Sequence, residues 1–309
     1  MTHTHPLPAG LVLLVTSLLI PNAWAQAQLV APEPVLLATT PSWMHPDVGS
    51  AWDRGYKGQG ATITVVDEFN GGSTIGGNFT GSAQQLRHGD WTAMEAGMIA
   101  TESRLVRHDF RSGSAVKLGT GLNAINLSYG LMARAGYSLG QLRWSAQETS
   151  IINHAKGGKA VVAKAAGNDG VVLTSSNRAG RVDYLNVSLR GAKTAIFVGA
   201  LDRNGTTASK AKLASYSNTP GTDTTLQKQF MVVGVAGSKT GLYGTSFAAP
   251  VVSAYAAVLG SKFKTATPTQ ITNQLLVTAR QDTIASYSVK THGRGEASLS
   301  RALAPASIK

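Results

Sequence analysis

Two hydrophobic patterns alternate along most of the chain. Short runs that are apolar at nearly every position occupy residues 61–67, 123–128, 160–165, 195–200 and 230–235. Runs of this length, rich in β-branched residues, predict strands buried on both faces. Between them lie segments with helical spacing, at residues 88–101, 139–156, 267–279 and 297–303, and an almost uniformly small and apolar stretch that follows Ser246. Strands apolar throughout and separated by helices predict an α/β fold with a mostly parallel central sheet covered by helices on both faces. In such sheets functional residues gather beyond the carboxyl ends of the strands.

The two ends of the pattern read differently. Residues 11–20 are apolar but too short to span a bilayer, Pro21 and Asn22 break the run, and Ala23-Trp24-Ala25 fits a small-x-small cleavage site. Residues 1–25 are therefore expected to be a signal peptide, although His3 and His5 stand where Lys or Arg is usual. Residues 26–40, rich in Pro and Ala, are expected to form an extended leader, and residues 41–309 one domain. Export to the periplasm or beyond follows from this reading, with no transmembrane segment after cleavage. The chain has no cysteine, so an exported domain must depend on core packing. The net charge of +12 gives a basic surface, but Lys and Arg are spread thinly, without the block that marks a nucleic-acid tail. No specific nucleic-acid partner is expected.

Four positions carry candidate chemistry. Residues 244–250 read Gly-Thr-Ser-Phe-Ala-Ala-Pro, which sets the Ser246 hydroxyl at the start of a buried helix, at the positive end of its dipole and beside its own free N–H. Small neighbours let a substrate backbone approach, and Pro250 falls where a lost N–H costs least. These features suit a nucleophilic serine with a built-in oxyanion donor, and equally an ordinary N-cap. Asp67 ends the first strand, His88 opens a helix, and Asn168 follows Ala165-Ala166-Gly167 just past another strand. Taken singly, each is also explained by turn or cap chemistry.

In chain order, Asp67, His88, Asn168 and Ser246 resemble the subtilisin-like serine proteases (subtilases). The resemblance extends to residues 51–60 before the first strand, to Ile125-Asn126-Leu127-Ser128-Tyr129-Gly130, and to Ala214-Ser215-Tyr216-Ser217-Asn218. The serine segment is the most specific match. Ser215-Tyr216-Ser217-Asn218 and Gly293-Arg294-Gly295 are most similar to subtilases of bacterial exported proteins. The resemblance implies a serine endopeptidase acting on a polypeptide substrate without a cofactor. Ser246 would attack the scissile carbonyl, His88 take its proton and Asp67 hold the imidazole, while the Asn168 amide and the Ser246 N–H bind the oxyanion. Substrate would lie extended beside Ser128, Tyr129 and Gly130, with the P1 pocket (for the residue before the scissile bond) walled by that strand and by residues after Asn168.

Several features depart from the family pattern. Asp67-Glu68-Phe69 replaces the usual Asp-Thr-Gly or Asp-Ser-Gly, Trp91 replaces a second histidine, and the loop from Asp67 to His88 is short. The stretch from Arg104 to Asn126 is too brief for a strand plus a full helix, which predicts a missing sheet-covering helix and bare apolar surface. About 15 residues between cleavage site and domain leave no room for a folded pro-domain. Scarce acids and shortened loops give no basis for a calcium site. His45, His108, His154 and His292 show no ligand-like spacing, so no metal is expected. Gly71-Gly72 and Gly76-Gly77 lack the Lys-Ser/Thr of a phosphate loop and are read as a flexible loop near the site. Two other functions compete with hydrolysis: a catalytically inactive binding protein on the same fold, and a basic exported protein that binds polyanions.

Overall fold

The computed structural model describes residues 40–309, so the signal peptide and all but the last residue of the leader lie outside the described residues. Six parallel strands form the central sheet: β1 (Ala61–Asp67), β2 (Arg104–Asp109), β3 (Leu122–Leu127), β4 (Val161–Ala165), β5 (Ala195–Leu201) and β6 (Phe230–Gly234). Their spatial order is β6-β5-β4-β3-β1-β2. The chain order reverses around β1 and β3, and this puts the carboxyl ends of β1, β3 and β4 side by side.

Alternation along each strand feeds two hydrophobic cores. Ile63 and Val65 of β1, Val161, Ala163 and Ala165 of β4, and Ile196 and Val198 of β5 face one core. It is covered by α1 (His88–Ile99) and α3 (Ala249–Lys262), both of which also pack on each other. Val66, Ile125, Leu127, Val162 and Phe197 face the other, which is covered by α2 (Ala146–Lys156) and the short helix Tyr184–Leu189. α3 is small-residued because it is buried on nearly its whole circumference, from Ala249 to Leu259. Close approach to β1, β3 and β4 is what Ala and Val at these positions permit.

Where the pattern misled, local chemistry is the reason. The expected helix over residues 139–156 is two pieces, a 3₁₀ turn at Leu139–Gln141 and α2. Ser145 starts the latter by accepting hydrogen bonds from the N–H groups of Gln147 and Glu148. The segment after Gly244 is likewise split, into a 3₁₀ turn at Thr245–Phe247 and α3, with Pro250 in the first turn of α3. β2, an edge strand with no fully buried residue, gave no apolar run to read. Residues 76–77, read as part of a flexible loop, belong to an antiparallel ribbon that pairs Ile75–Gly77 with Gln84–Leu86.

The full helix between β2 and β3 is indeed absent; only a 3₁₀ turn, Phe110–Ser112, stands there. The expected bare surface is not. Val116 is buried, its N–H bonds the Ser150 hydroxyl and its carbonyl meets His154 Nε2 at 3.0 Å, so the extended segment straps onto α2. Phe110 stacks on Tyr129 at 5.4 Å between ring centroids and closes the same face.

Candidate active site

Asp67 ends β1 in register with Asp109 of β2 and is almost fully buried. Its carboxylate has three partners. Oδ1 lies 2.7 Å from His88 Nδ1 and accepts the Glu68 N–H at 2.7 Å, while Oδ2 accepts the Thr92 hydroxyl at 2.9 Å. His88 and Thr92 stand four residues apart on α1, one turn above the other on the same face, so one helix delivers both groups to one carboxylate. The geometry fixes the imidazole with Nδ1 toward Asp67 and Nε2 outward.

The loop after Asp67 is held by β2 and the turn that follows it. Asp109 Oδ2 accepts the N–H groups of Phe69 and Asn70 at 3.1 and 2.6 Å, and Arg111 reaches back to the Asn70 carbonyl at 2.9 Å and pairs with the Glu68 carboxylate. Burial alone would raise the Asp109 carboxyl, but its bonds to the backbone N–H groups of Arg111, Asn70 and Phe69, with the Arg111 charge, hold it below the usual carboxylate range. Trp91 is fully buried, packs edge-on against Phe79 and donates its indole N–H to the Ile75 carbonyl, so it anchors the Ile75 ribbon.

Ser246 sits in the 3₁₀ turn before α3, against the end of β3. Its hydroxyl donates to the Ser128 carbonyl at 3.2 Å, and the Ser128 hydroxyl donates to the Ser246 carbonyl at 2.8 Å. Among the described residues no hydrogen bond joins Ser246 to His88. The His88 ring centroid lies 5.6 Å from that of Phe247, the residue that follows Ser246. Gly244, at φ 121°, makes the bend that brings the serine there, and a Cβ on it would lie 3.2 Å from Asn168 Nδ2.

Asn168 follows β4 and its side-chain carbonyl is fully engaged. Oδ1 accepts both the N–H and the hydroxyl of Thr245, at 2.8 and 2.9 Å, and the same hydroxyl accepts the Gly167 N–H at 3.0 Å. The amide Nδ2 is on the side of Gly244. Ser128, Tyr129, Gly130, Asn168 and Ser246 all border one cavity of about 300 Å³, which continues past Asn168 to Val171 and Leu173. Burial, and then the Glu148 carboxylate 3.2 Å from its hydroxyl, push the Tyr129 phenol well above its ordinary range, so it remains a neutral wall.

A family model described as the subtilase family matches residues 78–300, well over half of the chain. The chain belongs to the subtilase family. No curated protein matches it. Three solved subtilase-fold structures are similar at 19% identity: the prenylagaramide maturation protease PagA (84% of this chain and 98% of that one, TM-score 0.55), MycP1 of the ESX-1 type VII secretion system (83% and 82%, TM-score 0.51) and a protease of Pseudoalteromonas arctica (84% and 94%, TM-score 0.51). At that identity they show the shared fold. The family match begins after Asp67, where this subtilase replaces the usual turn residues with Glu68 and Phe69.

Residues that sequence reading did not single out support the candidate site. Thr92 bonds the Asp67 carboxylate and Thr245 the Asn168 side chain, and neither pairing was legible in the sequence. Asn218 fixes the loop around Asn168 by accepting the N–H groups of Asp169 and Val171, both at 3.1 Å. Lys164 and Asp183 line the cavity and were not read at all.

Proposed function

We propose that this subtilase is an exported serine endopeptidase that works through Asp67, His88 and Ser246, with Asn168 and the Ser246 N–H as oxyanion donors. The observation that carries the reading is the buried Asp67 carboxylate held 2.7 Å from His88 Nδ1, with Ser246 bordering the cavity of about 300 Å³. With Nδ1–H donated to Asp67, Nε2 is the basic nitrogen. For the reaction the Ser246 hydroxyl must leave the Ser128 carbonyl and donate to that nitrogen instead. As Oγ attacks, its proton passes to Nε2, and Asp67 stabilises the imidazolium. The carbonyl oxygen then becomes an oxyanion between Asn168 Nδ2 and the Ser246 N–H. His88 returns the proton to the leaving amine, and water completes hydrolysis of the acyl-enzyme by the reverse use of the same groups. A peptide extended along Ser128-Tyr129-Gly130 would add a strand to this edge and drop its P1 side chain into the cavity.

The Ser246–Ser128 hydrogen bond favours a second reading, a binding protein on the same fold whose serine is not primed. A fluorophosphonate probe separates the two. Covalent labelling of the wild type but not of Ser246→Ala is expected for the peptidase. A folded wild type that does not label is the result expected of the binding protein.

A further inference from the structure

Lys164 is the anomaly of the central sheet. It occupies β4 among Val161, Val162, Ala163 and Ala165, and only 1% of its side chain is exposed. A lysine is almost never buried to this extent without a partner. Alternation turns its side chain to the face of Val162, away from α3. The stem runs to the carboxyl end of the strand, where the ammonium donates to the Ala165 carbonyl at 2.6 Å and pairs with Asp183 Oδ2 at 2.9 Å. Asp183 is itself pinned: its Oδ1 accepts the N–H groups of Leu131 and Leu185 at 2.9 and 3.1 Å. Both residues line the cavity beside Ser246, and Gly130 leaves the approach open, since a Cβ there would come within 2.7 Å of Asp183 Oδ2.

We infer that the Lys164–Asp183 pair makes this cavity selective for a P1 side chain ending in a carboxamide, glutamine or asparagine. The inference rests on the proposed function for which side chain enters the cavity. An ammonium has three N–H donors, and Lys164 spends one on the Ala165 carbonyl while its charge pairs with Asp183 Oδ2 at 2.9 Å. A carboxylate oxygen accepts two hydrogen bonds, and the ammonium takes up at most one of those of Asp183 Oδ2. The pair therefore retains at least one donor and one acceptor side by side, the complement of a carboxamide's C=O and NH₂. Charge balance excludes the alternatives. The two buried charges already cancel, so a glutamate or lysine at P1 would bring a second, uncompensated charge to the floor of the cavity. A leucine would cover both polar groups without satisfying either.

The test uses five peptides that differ only at P1, with Gln, Asn, Glu, Leu or Lys. Cleavage by the wild type and equilibrium binding to the Ser246→Ala protein are measured for each. Gln and Asn are expected to lead Leu, Glu and Lys by at least about tenfold in both, the scale of a hydrogen bond to a charged group. A flat series, or one led by Leu, Glu or Lys, overturns the inference. The paired variant Lys164→Met with Asp183→Asn, confirmed as folded by its thermal melt, is expected to lose the preference for Gln over Leu; retention of that preference also overturns it. Should the variant not fold, the wild-type and Ser246→Ala series decide alone. Absence of fluorophosphonate labelling together with selective binding of the Gln peptide by Ser246→Ala would reject hydrolysis and uphold the pocket.

Discussion

Glu95 lies two helical turns beyond His88 on α1 and is buried with one carboxyl oxygen lacking any hydrogen-bond partner. Burial pushes its carboxyl well above the ordinary range, so the folded chain keeps a proton that the unfolded chain releases. The folded state thus binds more protons than the unfolded state above the ordinary carboxylate range, and stability falls as pH rises through that interval. Glu95→Gln removes the ionisation. Thermal melts at pH 5 and pH 8 are expected to show the variant gaining on the wild type at the higher pH, by about 1 kcal/mol or more, because each pH unit between the two protonation midpoints is worth roughly 1.4 kcal/mol. An equal difference at both pH values would mean that Glu95 ionises alike in both states. Sequence could not reveal this residue: a glutamate on a helix with little amphipathic contrast reads as solvent-facing, and its burial is decided by the folded packing around α1.

At the scale of elements, the site depends on the neighbours β1 and β2 sharing their carboxyl ends. Asp109 lies beside Asp67 and grips the N–H groups of Phe69, Asn70 and Arg111, which ties down the loop after β1. Its lowered carboxyl contributes stability that is present above the ordinary carboxylate range and is lost as the pH drops through the folded value. Asp109→Ala is expected to cost about 1–2 kcal/mol in chemical denaturation and to speed hydrogen exchange at the amides of Phe69 and Asn70. Asp109→Asn, which retains one acceptor oxygen, is expected to be milder. Unchanged exchange at both amides in the alanine variant would mean that the loop holds itself. The sequence exposed the departure at Glu68-Phe69 but not its remedy, because Asp109 is distant in sequence and β2 carries no hydrophobic run. The strap at Val116 has the same origin: a helix was legibly missing, but what fills its place depends on contacts with α2.

For the whole molecule, the described residues form a sheet-centred body in which no helix is long and apolar enough to cross a membrane. A minority of its cations pair with the scarce acids, as in Lys57–Glu102, Arg107–Asp90, Arg190–Asp223 and Arg203–Asp202. Export through a cleaved signal peptide remains a proposal drawn from residues 1–25, and it has a direct test: the protein recovered from the periplasm or medium of a bacterial host is expected to begin at Gln26 in both the wild type and Ser246→Ala. Loss of processing in the serine variant would instead assign the cut to the protein itself. The sequence by itself determined the α/β class, the buried strands and the positions of Asp67, His88, Asn168 and Ser246, because short-range periodicity and motif spacing are written in adjacent residues. Tertiary structure alone decided which groups meet: Thr92 on Asp67, Thr245 on Asn168, Asp109 on the loop after β1, and Lys164 on Asp183. Each of these pairings joins residues carried by different elements, and the sequence between them says nothing of the distance across a folded sheet.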